Sequence, residues 1–307
     1  MAMLRLGTCS WKFPSWAGLV YSAPAGIDYL AEYAQRYNSV EVDQWFWSLF
    51  GVDKVRLPQW ADAEAYRRSV PDDFRFSVKA PNSLTLTHLY SRGKTDPLEA
   101  NPHFLSVELL ESFLDAIEPL HDVLGPVMFQ FEYLNQRKMR AQSDFQEQVA
   151  RFAQALPRQH PYALETRNAR YLNQSFFEFL NQHQLIPVLL QGYWMPPIEQ
   201  TYTTWRSLII QQPMTVIRLH GPDREGMEER TGKAWGRIVE PRDEELRAVV
   251  DTVQDLLSEG VDVYLNVNNH YEGSAPLTIE RIRTLLGGRR LDVQDDAQGR
   301  KEPPHDD

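Results

Sequence analysis

The chain has 307 residues, 42% hydrophobic and 24% charged, with a formal net charge of −10. That composition can fill one large core, and its acidic balance opposes binding to a phosphate backbone because no dense Lys/Arg run offsets it, so nucleic acid is not an expected partner. Cys9 is the only cysteine, which excludes an internal disulfide and a thiolate metal cluster and points to the cytoplasm. No basic segment with an apolar core opens the chain, and no apolar run reaches the roughly 18 to 20 residues of a membrane span. A soluble protein with no membrane partner is the expectation.

In chain order, the first strand pattern covers 4–9 and a helical stretch follows at 27–36. The second strand, 39–44, turns Val40 and Val42 one way and Glu41 and Asp43 the other. The third, 73–79, separates Phe74, Phe76 and Val78 from Ser77 and Lys79. After a helix at 107–120, the fourth strand, 125–131, sets Val127, Phe129 and Phe131 against Gln130. A helix at 145–156 leads to strand 162–167, which ends on Glu165 and Arg167. A helix at 175–183 leads to strand 186–191, which ends on Gln191. Strand 214–220 opposes Ile217 and Leu219 to Arg218 and His220. Past a helix at 244–259, strand 262–268 opposes Val263, Leu265 and Val267 to Asn266 and Asn268. Eight such alternations predict an α/β fold, a single (β/α)8 TIM barrel with a parallel closed sheet and helices outside. The barrel domain is assigned to 1–287. The charged segment 288–307, with Pro303-Pro304, reads as a flexible tail.

Side chains two apart share a face, so the apolar set faces the helices and the polar set faces the lumen. Most of the polar set stands at strand ends, where barrel enzymes carry their catalytic groups. The alternative is a buried ion-pair network in which Glu41, Asp43 and Glu165 neutralise Lys79, Arg167 and Arg218 without chemistry.

The runs Gly7-Thr8-Cys9-Ser10-Trp11 and Val40-Glu41-Val42-Asp43 leading to Phe46 are followed, in order, by Phe76-Ser77-Val78-Lys79-Ala80-Pro81, Thr87-His88, Leu124-Gly125-Pro126 and Glu165-Thr166-Arg167. Arg218-Leu219-His220-Gly221 and Asp262 through Asn268-Asn269 to Gly273 complete the set. Together they resemble the YecE-like family of TIM-barrel proteins, a domain of unknown function (number 72), over nearly the whole chain. The resemblance implies the barrel fold and leaves the activity open. Two departures stand out. Asp43-Gln44-Trp45-Phe46-Trp47 replaces an Asn-Ser-Thr-Phe-Tyr-like segment, which adds a carboxylate. Gln191-Gly192 follows strand six where the family tends to place an Asp, which removes one possible metal ligand or base.

Six tryptophans, Trp11, Trp16, Trp45, Trp47, Trp194 and Trp235, are expected to rim the mouth and to suit a flat ligand bearing hydroxyl or phosphate groups. Two long connections, 80–106 with His88 and Arg92 and 221–243 with Arg224, Arg230, Lys233 and Arg237, are candidate lids over an anionic small molecule. Cys9 reads as packing. No P-loop and no Gly-x-Gly-x-x-Gly follows a strand, so no nucleotide cofactor is expected.

The leading expectation is an enzyme, a hydrolase, lyase or isomerase, acting on a small sugar-like or phosphorylated ligand by acid/base chemistry. Glu41, Glu165 and His220 are the catalytic candidates. Asp43, Lys79, Gln130, Arg167, Arg218, Asn266, Asn268, Asn269, Trp11, Trp45 and Phe46 are the substrate-binding candidates. Two alternatives remain open: a metal-dependent isomerase-like or endonuclease-like barrel holding a divalent ion on Glu41, Asp43, Glu165 and His220, and a non-catalytic small-molecule binding or regulatory module. The ionisation of Glu165 separates the enzyme from the non-catalytic module, because a catalytic carboxyl is held toward neutrality and a structural one is held ionised.

Overall fold

The computed structural model describes residues 2–90 and 97–287. Arg92 and the segment 288–307 lie outside the described residues. Eight strands make one sheet: β1 (Leu4–Thr8), β2 (Ser39–Val42), β3 (Arg75–Lys79), β4 (Leu124–Gln130), β5 (Tyr162–Glu165), β6 (Ile186–Gly192), β7 (Met214–Gly221) and β8 (Asp262–Val267). Their order is β1-β8-β7-β6-β5-β4-β3-β2, with every ladder parallel. The strands close into the expected TIM barrel.

Closure between β1 and β2 is unusual. One backbone bridge, Cys9 opposite Glu41, joins them, and the Ser10 N–H donates to the Glu41 carbonyl at 2.9 Å. Below it, side chains stand in for a ladder. The Asn38 amide accepts the Leu6 N–H at 2.9 Å and donates to the Leu4 carbonyl at 3.0 Å. The Tyr33 hydroxyl accepts the Thr8 N–H at 2.8 Å and donates to the Ser39 carbonyl at 3.0 Å. Gly7 is what lets the strands meet here, because a Cβ at this position would lie 1.9 Å from the Ser39 carbonyl oxygen.

Besides a single turn at Asn82–Thr85, the α-helices among the described residues are α1 (Tyr29–Ala34), α2 (Trp60–Arg68), α3 (Val107–Ala116), α4 (Gln142–Gln154), α5 (Gln174–His183), α6 (Ile198–Ile209), α7 (Arg224–Thr231), α8 (Asp243–Ser258) and α9 (Ala275–Leu285). Side-chain oxygens of Asp28, Ser106, Asn173 and Asp223 cap α1, α3, α5 and α7, taking up N–H groups that lack a partner in the first turn. Two features depart from the reading of the sequence. The connection after β2 folds into a small hairpin, Leu49–Gly51 against Lys54–Val55, and the long connection after β7 contains α7.

The outward strand residues, among them Val40, Val42, Phe76, Val78, Val127, Phe129, Ile217 and Val263, join the main core against the helices. A second cluster of Met128, Ala163, Ile186, Val188, Val216 and Tyr264 forms the lumen floor. Gln191 is a correction to the inward stripe. Register places Leu190 opposite Arg218 and Gln191 opposite Leu219. Gln191 therefore faces the helices, where it bonds Glu245 of α8 and accepts the Ile198 N–H at 2.9 Å at the start of α6.

Candidate functional site

Above the apolar floor lies a polar layer organised by Arg218, which is 1% exposed. Its Nε and Nη2 donate to the two Glu41 oxygens at 2.7 and 2.6 Å. Its Nη1 donates to Gln130 at 3.0 Å and to Glu165. Asn266 spans the layer, donating to Ser77 at 3.1 Å and to Glu41 at 3.3 Å. Arg167 holds the other Glu165 oxygen through Nε at 2.5 Å. Burial pushes the Glu165 carboxyl up, but Arg167 and Arg218 outweigh it and leave it lowered from 4.5 to about 2. A carboxyl held this low is a poor proton donor, which weighs against the acid role expected for Glu165. It stays ionised, and with Glu41 it holds a cation whose nitrogens are all occupied.

Over this layer opens a cavity of about 690 Å³ at the C-terminal mouth, lined by Cys9, Asp43, Phe46, Lys79, Gln130, Arg167, Tyr193, Arg218, His220 and Asn268 among others. Most of its charged groups are paired. Arg224 and Lys233 both reach Glu228, at 2.8 and 3.1 Å, and Glu132 holds Lys138. Lys79 and Asp43 differ, with no ion pair or side-chain hydrogen bond to either among the described residues. The Lys79 side chain, 8% exposed, sets its Nζ 3.8 Å from the centre of the Phe46 ring. Burial and the Arg218 charge lower its amine from 10.5 to about 8, against the pull of Glu41, Asp43 and Glu165. Asp43 moves the other way. Burial and the neighbouring Glu41 charge hold its carboxyl above the usual aspartate range, with Lys79 and Arg218 opposing.

His220 stands beside them. Burial, Arg218 and Arg167 hold its imidazole well below the usual range, so it is neutral. Its Nε2 lies 3.7 Å from Cys9 Sγ and its Nδ1 3.3 Å from the Tyr193 hydroxyl. Tyr193 also supports the Arg167 guanidinium, whose carbon is 4.4 Å from its ring centre. Tyr193 reaches this position with a φ of 54°, a left-handed backbone that is strained for a bulky side chain and that clusters at functional sites. Beyond Arg167 and Tyr193 lies a second hollow of about 590 Å³, walled by Tyr133, Trp194 and Met195. Trp194 is 93% exposed there.

Other candidates fall elsewhere. Trp11 and Trp45 pack on Tyr66, at 5.0 and 5.5 Å between ring centres, and belong to the core with Trp16. Trp47, Trp194 and Trp235 reach the mouth. The Asn269 side chain accepts the Ala275 N–H at 2.9 Å and so supports the start of α9. Asn268 accepts the His270 N–H at 3.0 Å. Cys9 lines the cavity instead of serving as packing alone.

The donors do not suit a metal. Cys9, Glu41 and His220 offer atoms within 4.8 Å of one another. The set does not fit, because both Glu41 oxygens are taken by Arg218 and because burial and the Glu41 charge hold the Cys9 thiol protonated, whereas thiol ligands bind as thiolates. The four-residue set fares no better, since Glu165 is also held by two arginines.

The sequence matches the family model described as "Protein of unknown function DUF72" over residues 5–304. The chain belongs to the DUF72 family. A solved DUF72 family protein from Enterococcus faecalis V583 is 19% identical, with a TM-score of 0.64 over 98% of this chain and 100% of that one. One from Thermotoga maritima MSB8 is 22% identical, with a TM-score of 0.64 over 93% and 99%. At these identities the likeness is one of fold. No curated protein matches the sequence. In this DUF72 chain the cavity-lining residues that escaped sequence reasoning include Glu132, Tyr193, Glu228 and His270. For Tyr193 the one sequence signal was the preceding Gly192, whose need the structure explains: a Cβ there would lie 2.3 Å from the Gly221 carbonyl oxygen, the same oxygen that accepts the Tyr193 N–H at 3.2 Å.

Proposed function

We propose that this DUF72 chain is an enzyme acting on a small anionic, polar ligand, sugar-like or phosphorylated, by acid/base chemistry at the barrel mouth. Asp43 and Lys79 are its proton-transfer pair, and Arg167 is its anion anchor. The observation that carries the reading is the exception they make. Among the described carboxylate, lysine and arginine side chains lining the cavity, these two have no ion-pair partner, and their environments move one acid up and one base down toward neutrality. Environments that shift a pair of titratable groups in this way mark acid/base roles. A buried network serving only stability would pair them, as it pairs Glu41 and Glu165 with Arg218.

Arg167 is suited to anchoring because only its Nε is committed, leaving the outer guanidinium nitrogens toward the cavity. Neutral His220, steadied by Tyr193, supplies a hydrogen-bonding group without adding charge. The aromatic hollow at Trp194 and Tyr133 suits the apolar face of a sugar or another flat group. The test is calorimetric titration with a panel of sugar phosphates and small carboxylates. At least one should bind, and Arg167→Ala should weaken it by about 1.5 to 3 kcal/mol, roughly tenfold to a hundredfold. A panel without a binder, together with an Asp43 carboxyl that titrates in the ordinary range by carbon NMR, would overturn the reading.

A further inference from the structure

The geometry points to Lys79 as a nucleophile that forms an imine with a carbonyl group of an anionic ligand, Asp43 relaying the protons. This rests on the acid/base reading and adds covalent chemistry to it. Lys79 ends β3, so its backbone is fixed by the parallel ladder with β4, where it stands opposite Met128 of the lumen floor. Its amine faces the cavity with no salt-bridge partner, and the Phe46 ring lies 3.8 Å away. An amine buried beside a second cation is the arrangement that frees a lysine lone pair near neutral pH. The lowering to about 8 agrees with it. A lysine kept for structure would be expected to pair with one of the three carboxylates whose charges reach it, Glu41, Asp43 and Glu165.

The steps balance without a co-reactant. The Nζ lone pair attacks the carbonyl carbon while the carbonyl oxygen takes the proton of the Asp43 carboxyl. The new ammonium returns a proton to Asp43. Asp43 then protonates the hydroxyl, the carbon–oxygen bond breaks, water leaves, and a positively charged imine remains on Lys79 beside the Asp43 carboxylate. Arg167 holds the ligand's anionic group throughout.

Incubation with glyoxylate, pyruvate or dihydroxyacetone phosphate, followed by cyanoborohydride, reduces any such imine to a stable secondary amine. A modified Lys79 resists trypsin, so the adduct is read on the uncut peptide 76–92 by mass spectrometry. The expected result is labelling of Lys79 at least tenfold faster than that of exposed Lys12, Lys54 and Lys233, rising with pH through about 8. Arg167→Ala should slow it and Lys79→Arg should abolish it. Labelling confined to the exposed lysines, while the sugar phosphates or carboxylates still bind, overturns the imine and leaves the acid/base reading standing. Loss of both binding and labelling overturns both.

Discussion

Lys79 is held where it opposes folding. An unfolded chain keeps its proton up to about 10.5, whereas the folded chain releases it near 8. The penalty is therefore complete below pH 8 and fades as pH rises to about 10.5, and the shift corresponds to about 3 kcal/mol. Lys79→Met should raise the urea midpoint at pH 7, and the gain should vanish in alkali. An unchanged midpoint would show that the amine keeps its proton without strain. Glu165 works in the opposite sense. Its folded value of about 2 lies below the ordinary 4.5, so it contributes about 3 kcal/mol that is present above pH 4.5 and lost as pH falls toward 2. Arg218→Met would leave Glu41 and Glu165 without their shared cation, a loss of about 3 to 5 kcal/mol in denaturant unfolding. Adding Glu41→Gln and Glu165→Gln should recover part of it. These residues were legible in the sequence as one polar stripe. Their division into saturated and free groups was not, because it depends on which carboxylate meets which guanidinium across the lumen.

At the scale of elements, the strands were legible because a half-polar wall alternates with period two. Strand β6 was the exception. Its run Val188-Leu189-Leu190 carries no alternation, so parity could be set only by register against β7, and Gln191 was read on the wrong face. Likewise Trp11 and Trp45 sit in segments that suggested a rim, while Tyr66, contributed by α2, draws both into the core. The seam between β1 and β2 escaped sequence reasoning altogether, since Asn38 and Tyr33 perform there the hydrogen bonding that backbone performs elsewhere. Tyr33→Phe removes the acceptor of the buried Thr8 N–H, and the cost should be about 1 to 3 kcal/mol by equilibrium unfolding. Gly7→Ala should cost more, roughly 3 kcal/mol or above, because the clash is with backbone.

For the whole molecule, family membership and the barrel follow from the ordered motifs, and Asp43 and Lys79 stand without an ion pair, among the described residues, next to a network that pairs Glu41 and Glu165 with Arg218. The seam carries a consequence for how the chain is made. Among the eight barrel strands β1 comes first in sequence, yet it has its full backbone ladder with β8, the eighth, and meets its sequence neighbour β2 by one bridge and a few side chains. Such long-range pairing delays closure, so the nascent chain carries β1 without a ladder partner until Asp262–Val267 has emerged. Chains arrested before Asp262 should show rapid amide exchange at Leu4–Thr8, while the paired strands β5 to β7 are already protected. The barrel that holds Asp43 and Lys79 is thus sealed by the last of its eight strands to be made.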